Sequence, residues 1–149
     1  MHKRNSLFFI GIYFITMCLF GQVEVSEEDL DLKFKNHFFE ALKQKAIKNY
    51  KKAIVSLENC MEIQENNTAV LFEFSKNHLL LNQYQEAELF VNMALENEPN
   101  SKHILLHKVN IYRVQQQFES AIRIQEEVVK TDPNELSKLV QLYIQNQNY

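Results

Sequence analysis

Two prolines 34 residues apart, Pro99 and Pro133, and three alanines on the same step, Ala53, Ala87 and Ala121, constrain this chain more than any other feature. Further columns keep the step. Tyr50, Tyr84 and Phe118 stand three residues before the alanines, and Cys60, Ala94 and Val128, all small to medium, stand seven after. Asn66, Asn100 and Asn134 follow in the segments between. A chain that repeats residue types at this interval is built from one supersecondary unit that cannot bury its apolar face alone. Such a unit is stabilised by stacking on copies of itself.

The unit reads as helical. Both glycines, Gly11 and Gly21, precede residue 22, so the repeated part has no residue that takes positive φ freely, and β-hairpin chemistry is nearly absent. Strings such as Phe-Glu-Ala-Leu-Lys-Gln-Lys-Ala-Ile at 39–47 show helical rather than alternating spacing of apolar residues. The class is therefore all-α, with paired helices expected over 34–47 and 50–64, 68–81 and 84–97, and 102–115 and 118–131. A seventh begins near Pro133, where Asp132-Pro133-Asn134-Glu135 supplies a cap, a proline for the first turn and a glutamate to follow. Placing Tyr149 in the aromatic column with Phe118 gives a step of 31, so a linker three residues short is expected there. Leu136, Leu139, Val140, Leu142, Tyr143 and Ile144 give the last helix more apolar surface than a solvent-facing end wants. Either a longer array continues, or that face docks on a partner or associates with a second copy.

In these columns the chain resembles the tetratricopeptide repeat over residues 34–149. In the unit 68–101, Leu71, Phe74, Ser75, Tyr84, Ala87, Ala94 and Pro99 occupy the family's large, large, small, aromatic, alanine, alanine and proline places. The unit 102–135 follows with Leu105, Tyr112, Phe118, Ala121 and Pro133. The unit 34–67 agrees at Ala41, Tyr50 and Ala53 and departs at His37, Gln44 and Glu65, while Gln125 stands where Leu57 and Val91 stand in the other units. The resemblance implies a right-handed helical solenoid of helix-turn-helix hairpins, three repeats and a partial fourth at 133–149. It also implies a non-enzymatic scaffold that binds a peptide or protein on its concave face, lined by the first helix of each hairpin.

Transferred by the register, that lining comprises Phe38, Leu42 and Lys45 from the first hairpin and Phe72, Lys76, Leu79 and Leu80 from the second. His103, Leu106, Asn110 and Arg113 come from the third. Apolar anchors interleaved with Lys45, Lys76 and Arg113 suit an amphipathic or acidic ligand. One subgroup of the family grips the carboxyl terminus of chaperones with Lys and Asn in the first hairpin, Asn in the second, and Lys and Arg in the third. Phe38 and Leu42, Glu73, and His103 and His107 stand at those places, so the clamp is absent. The alternative reading is that this segment is one stretch of a longer array, structural here and functional elsewhere.

The amino end has the order of a secretory signal. Met1-His2-Lys3-Arg4 precedes an apolar run of 14 residues, Leu7 to Phe20, and then Gly21-Gln22. A helix needs about 20 residues to cross the hydrocarbon core, so cleavage is favoured over a permanent span, with an uncleaved anchor the lesser alternative. Met17 is poorly suited to precede a lipidated Cys18, which favours cleavage after Gly21 and an acidic linker over 22–33. The expected location is exported: periplasmic, in the cell envelope, or secreted. Residues 1–21 hold Lys3 and Arg4 and no acid, so the remainder keeps 14 of the 16 basic side chains against all 19 acidic ones, a formal charge near −5. That argues against nucleic acid as a partner. Cys60 is then the only cysteine, and it reads as a small buried residue rather than a reactive thiol.

Chemistry beyond binding has little support. With no glycine after residue 21 there is no phosphate-cradling loop, and no nucleophile, base and orienting acid are evident, so no enzyme and no cofactor are expected. His103 and His107, one helical turn apart, form with Glu73 the only candidate metal set; two histidines are too few, and polar groove residues are the better reading.

Overall fold

The computed structural model describes residues 26–147. The helices are α1 (Glu27–Ala46), α2 (Tyr50–Ile63), α3 (Thr68–Leu80), α4 (Tyr84–Asn97), α5 (Lys102–Val114), α6 (Phe118–Thr131) and α7 (Leu136–Gln147). Among the described residues there is no strand. The proposed signal at 1–21, with Cys18, and Tyr149 lie outside the described residues.

The helix expected to start at 34 starts at Glu27, so residues 27–33 are its opening turns rather than linker. Two local effects favour this start. The Ser26 hydroxyl oxygen accepts the Asp29 backbone N–H at 3.1 Å, and Glu27, Glu28 and Asp29 put three acids beside the positive end of the helix dipole.

Each hairpin turns through one residue at positive φ, and these recur on the repeat step: Lys48 at 61°, Asn82 at 59° and Gln116 at 61°. The next residue closes the turn. The N–H groups of Asn49, Gln83 and Gln117 donate to the carbonyls of Gln44, His78 and Tyr112 at 2.8, 2.9 and 2.9 Å, satisfying carbonyls that the helix end would orphan. Glycine is the usual residue here because it has no Cβ to clash, so this chain makes the same turn with side chains that oppose it.

Between hairpins, the N–H groups of Gln64, Glu98 and Asp132 donate to the carbonyls of Cys60, Ala94 and Val128, again on the repeat step. Asn67 caps α3 by accepting from the N–H groups of Ala69 and Val70 at 3.1 and 3.2 Å. Asp132 accepts from Asn134 N–H at 3.1 Å, as its sequence context predicts. What it caps is a single 3-10 turn at Pro133–Glu135, after which α7 begins at Leu136, 34 residues beyond the start of α5 at Lys102. The shortened linker is therefore not seen in the helix starts. Leu139 and Leu142 take the places of Leu71 and Phe74 two repeats earlier, and all four are buried.

Three apolar clusters hold residues 32–147, each joining one hairpin to the first helix of the next. Ala41 from α1 and Leu57 and Cys60 from α2 meet Val70 and Phe74 from α3. Leu71, Ala87, Val91 and Ala94 meet Ile104 and Ile111 from α5. Val109, Phe118, Ala121 and Ile122 meet Leu139 and Leu142 from α7. Each large aliphatic side chain so buried contributes roughly 1.5–3 kcal/mol, and most have partners in a neighbouring hairpin, so the stacking itself carries the stability. Ala53, Ala87 and Ala121 are all wholly inaccessible, as expected where helices approach closely. The third unit departs from its expected pattern: Leu105 is only half-buried, and Ile104 and Ile111 supply the apolar contact instead. Lys108 occupies the place of Phe74 and sits 5.8 Å from the centroid of the Tyr112 ring.

Cys60 is buried, with its sulfur 3.8 Å from the Phe34 carbonyl oxygen. Burial pushes its thiol up to about 11, so it stays protonated and serves as a packing residue. Among the described residues no helix is long and apolar enough to cross a membrane.

Candidate functional site

The first helices of the hairpins carry the candidate face, and its centre is Phe72 on α3. The Lys76 ammonium lies 4.4 Å from the Phe72 ring centroid, while the rings of His103 and His107 from α5 meet Phe72 edge-on with centroids 5.1 and 5.2 Å away. This aromatic is therefore fixed by two elements at once. Beside it, the Glu73 carboxylate receives Lys76 on one oxygen and Lys45, reaching from α1, on the other. The side chains of Glu73 and both lysines are mostly withdrawn from solvent. Three charges thus sum to a single positive one, with Lys45 and Lys76 paired to a carboxylate that the expected lining did not include. The carboxylate holds both ammonium groups where burial would otherwise leave like charges close together. Burial pulls the Lys76 amine below the usual lysine range, against the opposing pull of Glu73.

His107 is held from behind. The Ser75 hydroxyl donates to the Ala87 carbonyl at 2.6 Å, so its one proton is committed, and its oxygen accepts from His107 Nε2 at 2.9 Å. That fixes the Nε2–H tautomer. Burial, reinforced by the nearby Lys76 charge, drives the imidazole down to about 4, so it is neutral at pH 7. The same contacts engage atoms of the candidate metal set. Both Glu73 oxygens face lysines, His107 Nε2 faces Ser75, and His103 Nδ1 lies 3.1 Å from the Ser101 hydroxyl. Among the described residues no group of three His, Cys, Asp or Glu side chains is placed to hold a metal.

The expected lining divides into parts. Lys45, Phe72, Lys76 and His103 come together around Phe72, with Glu73 and His107 as members that the sequence suggested only as clamp or metal positions. Phe38 and Leu79 are half-buried and pack on the clusters beneath, Phe38 also stacking on Phe34 at 6.0 Å, so both are partly structural. Leu42 is half-buried, and Leu80, the last residue of α3, is exposed. Leu106, Asn110 and Arg113 instead line a cavity of about 330 Å³ bounded by α5, α6 and α7. Its other walls, including Gln125, Lys138, Gln141 and Gln145, were not expected as site residues; the one available signal was the mismatch of Gln125 with its column.

Residues 46–105 match the sequence profile of the tetratricopeptide repeat. The fold is that of the tetratricopeptide repeat. The TPR2B domain of yeast Sti1, in its complex with pHsp70, is 15% identical with a TM-score of 0.66, the match covering 78% of this chain and 98% of that one. A MamA RS-1 ArsTM double mutant is 18% identical with a TM-score of 0.70, covering 78% of this chain and 67% of that one. The first TPR domain of human RPAP3 is 19% identical with a TM-score of 0.66, covering 77% of this chain and 95% of that one. At these identities the likeness is one of fold. No curated protein matches this chain in sequence. The tetratricopeptide hairpins therefore account for the architecture.

Proposed function

We propose that this chain is a non-enzymatic scaffold that binds a protein or peptide segment on the concave face formed by the first helices of its hairpins. One observation carries the reading: Phe72, with two imidazole edges and a lysine set around it, is a large apolar side chain fixed in place at a surface. Pre-ordered aromatics in polar surroundings are the anchors on which binding surfaces depend, because little side-chain freedom is lost when a ligand arrives. The single net positive charge of Lys45, Glu73 and Lys76, with Arg113 one helix away, favours an amphipathic segment with a modest acidic component. With Phe38, Leu42, Glu73, His103 and His107 at the clamp places, the ligand differs from one held by a ring of Lys, Arg and Asn. Export remains part of the proposal, supported by the basic, apolar and small-residue order of residues 1–22, and it places the partner in the periplasm, the envelope or the medium.

Panning a random peptide phage library on the full chain tests this. Selected peptides should be amphipathic, and Phe72→Ala combined with Lys76→Gln should weaken them at least about tenfold, equivalent to roughly 1.4 kcal/mol, while Lys51→Glu on α2 leaves them unchanged. Equal binding to the double variant contradicts the proposed face.

A further inference from the structure

Each first helix seats on the one before it through a place that recurs on the repeat step at Phe39, Glu73, His107 and Gln141. In α3, Glu73 reaches back to Lys45 of α1. In α5, His107 reaches back to α3, with its ring against Phe72 and its Nε2 on the Ser75 hydroxyl at 2.9 Å. In α7, Gln141 shares a cavity with Leu106 and Val109 of α5, which stand one step on from Phe72 and Ser75. The three residues that meet a preceding first helix are polar. Phe39 stands in their place on α1, before which no helix lies among the described residues, and it is a phenylalanine 67% exposed.

A second column is inverted in the same way at α7. Ala41, Ser75 and Val109 are small to medium and buried, and each packs on the second helix of its own hairpin. The same place on α7 holds Tyr143, a large side chain 42% exposed, whose hydroxyl donates to Glu126 of α6. Beside it Val140, in the column of Phe72 and Leu106, is 49% exposed. A helix face that ends a stack in water is expected to be polar. Phe39 and Tyr143 do the reverse, putting aromatics on the open faces of α1 and α7 in columns whose interior members are polar or small.

The two open faces match through the repeat itself. The contact of His107 with Phe72 and Ser75, carried two steps on, sets a residue of the Phe39 column against Val140 and Tyr143. We infer that α1 of a second copy seats on α7, with its Phe39 against Val140 and Tyr143, so that the row of first helices runs on from one copy to the next. The contact continues the junction that already joins α1 to α3 and α3 to α5 within the chain. It is heterologous: α7 of one copy meets α1 of the next, so each row keeps an open face at either end and grows instead of closing as a pair. The only charged residue of α7 is Lys138, held by Glu135 at 2.8 Å, so apolar burial governs the approach. One helix seated on another covers less surface than a whole hairpin junction does, so dilute chain is monomeric and rows form as the concentration rises.

The test is sedimentation equilibrium of the full chain over a range of concentrations, in which the mean mass should rise past that of a dimer. Phe39→Glu and Val140→Glu, both at exposed positions and with helical circular dichroism unchanged, should each stay monomeric. Mixed in equal amounts, the two variants should form a one-to-one dimer that does not grow, because the intact α1 of the Val140→Glu chain seats on the intact α7 of the Phe39→Glu chain. Lys51→Glu on the exposed side of α2 should assemble as the unaltered chain does. A mass that stays monomeric up to about 1 mM would overturn the inference. So would assembly that survives in either variant alone, as pairing of α7 with α7 would leave in Phe39→Glu, and so would variants that remain apart when mixed.

Discussion

Lys48, Asn82 and Gln116 show what the lack of glycine means at the level of single residues. The absence of glycine after residue 21 pointed away from tight β-turns and towards helices, and the described residues are helical without a strand. The hairpins nevertheless need one residue each at positive φ, and lysine, asparagine and glutamine supply it. Asparagine tolerates that region better than the other two, whose Cβ meets the following carbonyl at a penalty of roughly 1–2 kcal/mol. Glycine removes the clash but loses more chain entropy on folding. The net expectation is that Lys48→Gly and Gln116→Gly each raise stability by about 0.5–1 kcal/mol, and Asn82→Gly by less. Urea denaturation of the full chain checks this, and destabilisation by either of the first two contradicts it. No pattern in the sequence marked these three positions, because the requirement lies in backbone geometry and the residues themselves are ordinary polar ones.

At the level of the helix, the alanine column was legible because close approach leaves room for one residue type. Ala87 is wholly buried, and its carbonyl is the acceptor for Ser75, the residue that holds His107, so the same point serves contact between α3 and α4 and, through Ser75, the position of α5. Ala87→Glu should cost at least about 1–3 kcal/mol through overpacking and a buried charge. An unchanged melting temperature rules out this contact as drawn. The partners of Glu73 were not legible in the same way. Lys45 and Glu73 lie in different hairpins, and only the stacking distance brings the ammonium to the carboxylate, so the sequence suggested lysines facing a ligand where the structure has an internal bridge. The start of α1 was missed for a related reason: its acids read as solvated linker, yet they lie beside a helix amino end that favours them.

For the molecule within residues 32–147, stability is shared along a line of neighbours. Each of the three clusters spans a hairpin and the following helix, so the interior elements are covered on both sides. The last is not: Leu136, Val140, Tyr143 and Ile144 of α7 remain exposed. The exposed first-helix face exists only because this stacking sets neighbouring first helices side by side, so the binding proposal depends on it. Native-state hydrogen exchange of the full chain tests that dependence most directly. One-dimensional stacking predicts that the backbone amides of α3, α4 and α5 exchange slowest and that α7 opens first; protection in α7 equal to that in α4 would contradict it.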